Sequence, residues 1–595
     1  MAARRRGNGR CGFGFPRLGK DGYSVSQALE NYEATMPKSE TSQRIRITLE
    51  DGRVLERRPP VLVGDLLDSP TAPNGLEYLG AMVNNDVYSL SYPLDADSEV
   101  RFFTAAQEDG WRMYVRTLCF LLAKTVRELY PQASFSIEHS LDTGYYCYFA
   151  QDEKPGIKPG QIHAIERRMR ELIAADLPIE RRKLAYAAAL QQFEEEHQPD
   201  KFHLLAFRNP NKVVINWCDG FSDLGHGVVA EHTGVLGVFK LIPYPPGFVI
   251  QFPDRRKPTQ VAAFRHRPHL FQIFQEHKRW GRILGVNTVG KLNELITNGG
   301  IRDFIKIAEA LHEKKIAQIA DQITARREQL RWVLIAGPSS SGKTTFAKRL
   351  VVQLQVNGLR PLTLSTDDYF VERGKTPRDA EGKPDFEHLE AIDLPLLQEQ
   401  LGQLDRGEEV EPPHFNFEAG QREFRGNKLK LEEGQLVVIE GTHALNPRLT
   451  AAIPLEHKFR IYVSALTQLN LDRNTRISTT DNRLVRRLVR DRNFRGHSAL
   501  QTLQMWQGVQ RGERRWIFPF QAAVDMAFNS ALDYELAVLK LVVEPQLASV
   551  KPMQAEYAEA RRLQEFLECF LGVTDQLVPS TSILREFIGR SSFRY

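Results

Sequence analysis

No stretch of these 595 residues approaches the roughly 20 consecutive apolar residues that a membrane-crossing helix needs. Cysteine is scarce as well. Cys11, Cys119, Cys147, Cys218 and Cys569 are scattered with no C-x-x-C pair, so reduced, mostly buried thiols in a cytoplasm are expected. Internal repeats and low-complexity tracts are missing. A surplus of one charge is nearly missing too. Lys and Arg number 79 against 74 Asp and Glu, and six of the basic residues fall in the first 20 positions, where there is no acid. The remainder is close to neutral, which argues against a broad nucleic-acid surface. That start, "MAARRRGNGRCGFGFPRLGK", has the positive charge of a signal peptide but no apolar segment behind it. A flexible leader over residues 1–40 is expected, with RNA or membrane contact as the alternative. The chain is too long for one core, and three or four domains are expected.

The most informative stretch is "VLIAGPSSSGKTTFAKRL", Val333 to Leu350. Val333, Leu334 and Ile335 form a short apolar run, as in a parallel strand covered on both faces. Gly337 to Thr344 then fits G-x-x-x-x-G-K-[ST], and Phe346, Leu350 and Leu354 follow at helical spacing. Glycines let the backbone turn its amides toward one phosphate chain at the positive end of a helix. The candidate ATP-binding positions are Gly337, Ser339, Ser340, Ser341, Gly342, Lys343, Thr344 and Thr345. Lys343 would neutralise the β- and γ-phosphates, and the Thr344 hydroxyl would ligate Mg²⁺.

Further parts follow in order. "RPLTLSTDDYF" reads as a second strand ending in Asp367 and Asp368. Ligands of an open α/β sheet bind beyond the carboxyl ends of its strands. A carboxylate there can take the proton of an attacking hydroxyl; the alternative is that both acids cap a turn. "GQLVVIEGTHALN" reads as a third strand with Glu440 at its end, placed to support the metal. In "RLVRRLVRDRNFRGH", Arg483, Arg486, Arg487 and Arg490 share one helix face, offset only in part by Asp481 and Asp491. Either a bound triphosphate relieves this crowding or the face is solvated.

On these motifs, residues 328–545 resemble the uridine kinase branch of the uridine kinase/phosphoribulokinase P-loop family. "STDDYF" corresponds to the family's S-x-D-x-[FY]-[FY], which implies Asp367 as catalytic base and leaves Asp368 on a variable position. "DFEHLEAID" resembles N-F-D-H-P-x-A-[FL]-D, which puts Glu387 where the family holds ribose hydroxyls. R-L-x-R-R-x-x-R-D is matched at Arg483 to Asp491, so Arg487, Arg490 and Arg495 are the implied phosphate clamp. The base pocket departs from the family. In "PHFNFEAGQREF", Phe415 replaces a tyrosine and Gly420 a histidine, so stacking survives but two hydrogen-bonding groups do not. His497 also replaces the last arginine of the lid. The resemblance implies a Mg²⁺-dependent kinase using ATP or GTP on a primary hydroxyl of a nucleoside (uridine- or cytidine-like) or related small sugar.

The first half is of another kind. "IRITLEDGRVLERRPPVLVGDLLDS" alternates, turns at D-G and ends in a short helix pattern, which suggests a β-grasp module resembling the TGS domain of threonyl-tRNA synthetases. "SFSIEHSLDTGYYCYF", a charged helix "IERRMRELIAADLPIERRKLAYAAALQQF" and "HTGVLGVFKLI" resemble the synthetase's second domain. That domain's editing pairs, H-x-x-x-H and C-x-x-x-H, fall on Arg116, Phe120, Gly225 and Val229 here, so the implied nitrogen and thiolate donors are gone. Editing is not expected; binding, regulation or assembly is.

The expected architecture is thus α/β: a leader (1–40), a β-grasp domain (41–105), an α+β synthetase-like domain (106–255), a helical connector (256–326), a P-loop parallel sheet with flanking helices (327–545) and a docked tail (546–595). The connector helix is expected to bury Ile305, Ile307, Ala308 and Leu311. Expected partners are a nucleoside triphosphate and a nucleoside-like substrate, with RNA contact through the first half and a homo-oligomer as further options. A ribosome- or RNA-associated NTPase switch is the alternative function.

Overall fold

Alternation settles the first element. In Ile45–Leu49 the three apolar side chains turn inward while Arg46 faces solvent. A computed structural model describes residues 44–594 apart from 380–381, 417–418 and 452, so the expected leader lies outside the described residues. Ile45–Leu49 pairs antiparallel with Val54–Arg57 across the D-G turn and parallel with Ser98–Thr104. Tyr78–Val83 and Asp86–Tyr88 complete a mixed five-stranded sheet, the β-grasp arrangement read from the sequence. The expected short helix is one 3₁₀ turn, Val63–Leu66.

Helix α1 (Glu108–Leu129) then packs on an antiparallel sheet containing Ser134–Leu141, Gly144–Gln151, Lys240–Tyr244 and Gly247–Gln251. One sequence expectation is corrected here. The charged segment after Ile165 is not one helix: it runs as helix to Ala174, as strand from Glu180 to Ala185, and as helix again from Tyr186 to Glu195. Pro178 cannot continue the first helix, and the strand is paired along its whole length by Lys212–Cys218.

The connector helix Ile301–Ala325 buries Ile301, Phe304, Ile305, Ile316, Ile319 and Ile323, with Glu309 and His312 in the same stripe. Ile307 is 44% exposed, contrary to expectation. The inward face is centred on Ile305, and Ile307 lies about 200° around the helix from it.

Beyond it lie five parallel strands: β1 (Trp332–Ala336), β2 (Leu362–Ser365), β3 (Val437–Glu440), β4 (Lys458–Ser464) and β5 (Met526–Asn529). They are ordered β2-β3-β1-β4-β5. Every residue of β1 is buried, as its central place with both faces covered requires. Helix α2 (Lys343–Val356) follows β1, α3 (Thr479–Arg495) and α4 (Ala499–Trp516) follow β4, and α5 (Tyr557–Leu567) follows the sheet. One apolar core runs without interruption from Phe193 and Ile215 through Leu292 and Ile316 into β1, α2 and α3, and on to Ile583 and Phe587 near the C-terminus. Among the described residues no helix is long and apolar enough to cross a membrane.

Candidate active site

The loop after β1 is shaped by sterics. A side chain at Gly337 would meet the Val463 carbonyl oxygen at 2.1 Å, and Ser340 and Gly342 have φ of +59° and +80°. The chain then enters α2 at Lys343. The Ser340 and Ser341 hydroxyls are buried with no hydrogen-bond partner among the described residues, so the cradle has polar groups to spare for a ligand. Ser339 is used otherwise. Its amide donates to Glu513 Oε1 (3.0 Å), and its hydroxyl lies 2.9 Å from Arg487 Nη1.

Strand ends bring the acids in. The Thr344 hydroxyl lies 3.4 and 3.5 Å from the two carboxylate oxygens of Glu440 at the end of β3. Ser365, ending β2, donates to the same carboxylate at 3.1 Å. Burial pushes the Glu440 carboxyl up to about 7; Lys343 opposes this, and Asp367 and Glu586 add to it. Two hydroxyls around a carboxyl short of positive charge fit Mg²⁺. Among the described residues no cluster of three His, Cys, Asp or Glu could hold a metal without help, so phosphate oxygens and water would supply the other ligands.

Asp367 and Asp368 diverge. Asp368 turns to the hairpin His414–Glu423, 3.1 Å from His414 Nδ1 and accepting from the Phe415 amide at 3.4 Å. Asp367 turns to the cleft, where its charge acts on Glu440, Glu387, His443 and Arg495. Glu387 lies beneath α4, where a side chain at Gly512 would meet its Cβ at 2.3 Å. Burial raises its carboxyl to about 7 against the pull of Arg487 and Lys343. Phe415 is buried, with its ring centroid 5.7 Å from that of Phe370. Gly420 has φ +67° and Arg373 packed against it.

The arginines of α3 differ from expectation. Asp481 turns away to Arg562 (2.8 Å), and the partners come from elsewhere. Arg483 is held by both oxygens of Glu513 (2.5 and 2.8 Å), and Arg486 by Glu535 (2.5 Å). All four side chains are buried. These two arginines also donate to the Ser339 and Ser340 carbonyls, so they brace the loop rather than wait for phosphate. Arg487, Arg490 and Arg495 gather on Asp491 at 3.1, 3.2 and 3.5 Å. Burial works to raise the Asp491 carboxyl, but the three guanidiniums outweigh it and hold it below the usual range. Arg490 first, then burial, brings Arg495 down to about 10.

Lys343, Thr344, Glu440, Asp367, Glu387, Arg487 and Arg495 therefore share one cleft, while Phe415 lies on the hairpin that receives Asp368. Sequence reading missed His443, whose imidazole burial takes down to about 4, although a histidine three residues past a strand-end acid was a visible signal. It also missed Glu513, Glu535 and Glu586. The last accepts from the Thr345 amide (3.1 Å) and hydroxyl (2.8 Å) with one carboxylate oxygen.

A parallel sheet with a glycine-rich phosphate loop after its central strand, and acids at the ends of the two strands on one side of it, defines a P-loop kinase domain. Residues 333–537 match the model of the Phosphoribulokinase / Uridine kinase family, and this part of the chain is a domain of that family. The N-terminal region matches threonine–tRNA ligases. That of Desulforamulus reducens is 29% identical over 249 residues, covering 40% of this chain and 39% of the ligase. That of Acetivibrio thermocellus is 32% identical over 199 residues, covering 33% and 31%. The chain thus spans between 31% and 39% of the length of these curated relatives. Similar solved structures include a possible uridine kinase from Bacillus stearothermophilus, at 18% identity over 36% of this chain and 100% of that one, TM-score 0.26. D-glycerate 3-kinase from Cryptococcus neoformans is 16% identical over 43% of this chain and 87% of that one, TM-score 0.21.

Proposed function

We propose that the chain is a kinase that moves the γ-phosphoryl group of ATP or GTP to a primary hydroxyl of a nucleoside or related small sugar. The observation that carries this reading is the convergence of Lys343, Thr344, Glu440 and Asp367 at the carboxyl ends of β1, β2 and β3. Lys343 neutralises the triphosphate tail, and Asp367 accepts the proton of the acceptor hydroxyl as it attacks. Mg²⁺ held at Thr344 and Glu440 would spread the charge that develops on the phosphoryl oxygens. Arg487, already on the Ser339 hydroxyl, and Arg490 and Arg495 beside it close the cleft and exclude water. Glu387 and the Phe415 ring are assigned to the acceptor side, for ribose and base respectively. The first half, matched to ligases but lacking their implied donors, is assigned to binding, regulation or assembly, with the domain limits given above.

The test is a panel of nucleosides and small sugars incubated with γ-labelled ATP, scored for a phosphorylated product. A labelled nucleoside or sugar monophosphate supports the reading. Label released only as inorganic phosphate, and faster with added RNA, would replace it with the NTPase switch that the ligase matches favour.

A further inference from the structure

A cavity of about 730 Å³ lies between α1, the loop Gly225–Val229, the segment leading into α3, and α5. The positions that replace the implied editing donors, Arg116, Phe120, Gly225 and Val229, all border it. Its volume is that of a small-molecule site, typically about 300–1,000 Å³. Its charges do not balance. Every lining carboxylate but Asp254 has a cationic partner. Among the described residues five lining cations, Arg116, Arg181, Lys212, Arg476 and Arg514, have no carboxylate partner. Two of them are held in place. The Arg116 guanidinium donates to the Val228 carbonyl and occupies the space a side chain at Gly227 would need, 2.6 Å from its Cζ, where φ is +123°. Arg476 stacks 4.6 Å over the Tyr145 ring, and its buried Nε has no partner among the described residues. Burial, with Arg562, Arg112 and Arg181 nearby, also brings Arg116 down to about 10, the direction an uncompensated cluster gives.

We propose that this cavity binds a small phosphate-bearing anion, with Arg116 and Arg476 as its paired guanidinium contacts. Planar forks with free N–H groups match phosphate oxygens, and a bound anion supplies the charge the protein withholds. Calorimetry on the full chain carrying Lys343→Ala, which disables the phosphate loop, tests it with ADP and inorganic pyrophosphate as probes. Binding of at least one probe is expected, weakened tenfold or more by adding Arg116→Gln with Arg476→Gln. ADP alone would point to a nucleotide, and pyrophosphate alone to the bare phosphate chemistry. Failure of both probes to bind at millimolar concentration, or binding indifferent to the two arginines, overturns the site.

A different observation carries a second inference, which rests on the kinase reading. Glu586 holds the amide and hydroxyl of Thr345 in the first turn of α2, where a nucleotide's phosphate oxygens would be received. Around it Ile583 lies 2.4 Å from where a side chain at Gly342 would start, and Phe587 lies under Arg486 at 5.1 Å. We infer that the Glu586 carboxylate is an autoinhibitory occupant of the donor site that nucleotide must displace from Thr345. Titration of the full chain with a fluorescent ATP analogue tests it. Glu586→Gln and Glu586→Ala should each bind several-fold more tightly than wild type. Equal or weaker binding in both variants, with wild type binding normally, overturns the inference alone. If neither wild type nor either Glu586 variant binds ATP, the kinase reading fails with it.

Discussion

Two arginine-rich regions border α3, one along its length at the phosphate loop and one at its N-terminus, and they differ in how their charge is met. At the phosphate loop, Arg483 and Arg486 are matched by buried Glu513 and Glu535, and Arg487, Arg490 and Arg495 crowd one aspartate. In the inter-domain cavity, Arg116 and Arg476 meet no carboxylate among the described residues. Buried guanidiniums with dedicated acids are structural, since the partner cancels the charge and fixes the geometry. Guanidiniums held in place without acids are kept for something that arrives. The number of arginines at a site therefore says less than the identity of what they touch.

Four tests probe that contrast, beginning with the largest effect. Lys343→Ala and Asp367→Asn should each lower phosphoryl transfer by about 10²–10⁴-fold, with Asp367→Asn still binding ATP. Asp368→Asn, facing the hairpin, should stay close to wild type; steady-state rates beside nucleotide titration decide this, and a dead Asp368 variant would move the base. Glu513→Ala strands Arg483 in the interior and should cost about 3–5 kcal/mol in urea unfolding. The third test is pH. Because the Glu440 carboxyl is raised to about 7 in the fold from 4.5, the folded state holds its proton more tightly than the unfolded chain does. Stability should therefore fall as pH rises from about 4.5 to 7, and Glu440→Gln should flatten that decline in urea midpoints measured across the range. Smallest of all, Arg116→Gln should leave unfolding within about 0.5 kcal/mol of wild type or improve it, since it removes a charge that nothing in the fold repays. A loss like that of Glu513→Ala would mean the cavity arginine is structural after all.

What was legible in the sequence was local. Val333 to Leu350 carries its own strand, loop and helix within 18 residues, so hydrophobic periodicity and two glycines were enough to place Lys343 and Thr344. Asp367 and Glu440 followed because strand ends of a parallel sheet converge. The partners of the α3 arginines were not legible. Their spacing puts them on one face, but Glu513 is 30 residues away from Arg483 and Glu535 is 49 from Arg486, and only tertiary packing chooses them. Glu586 is farther still, 241 residues from Thr345, in a segment whose sequence suggested docking without saying where. Ile307 misled for a related reason: an apolar residue beside the inward face of a helix is as compatible with solvent as with burial.

The unbroken apolar core has a consequence for handling the protein. Val213 and Ile215 of the first half, the connector helix and the tail all bury surface that the P-loop sheet shares. Cutting the chain at the connector would lay bare Ile316, Ile319 and Ile323 on one piece and the face of α2 they cover on the other. The two halves should accordingly melt together as a single calorimetric event, and the isolated kinase segment should be prone to aggregate.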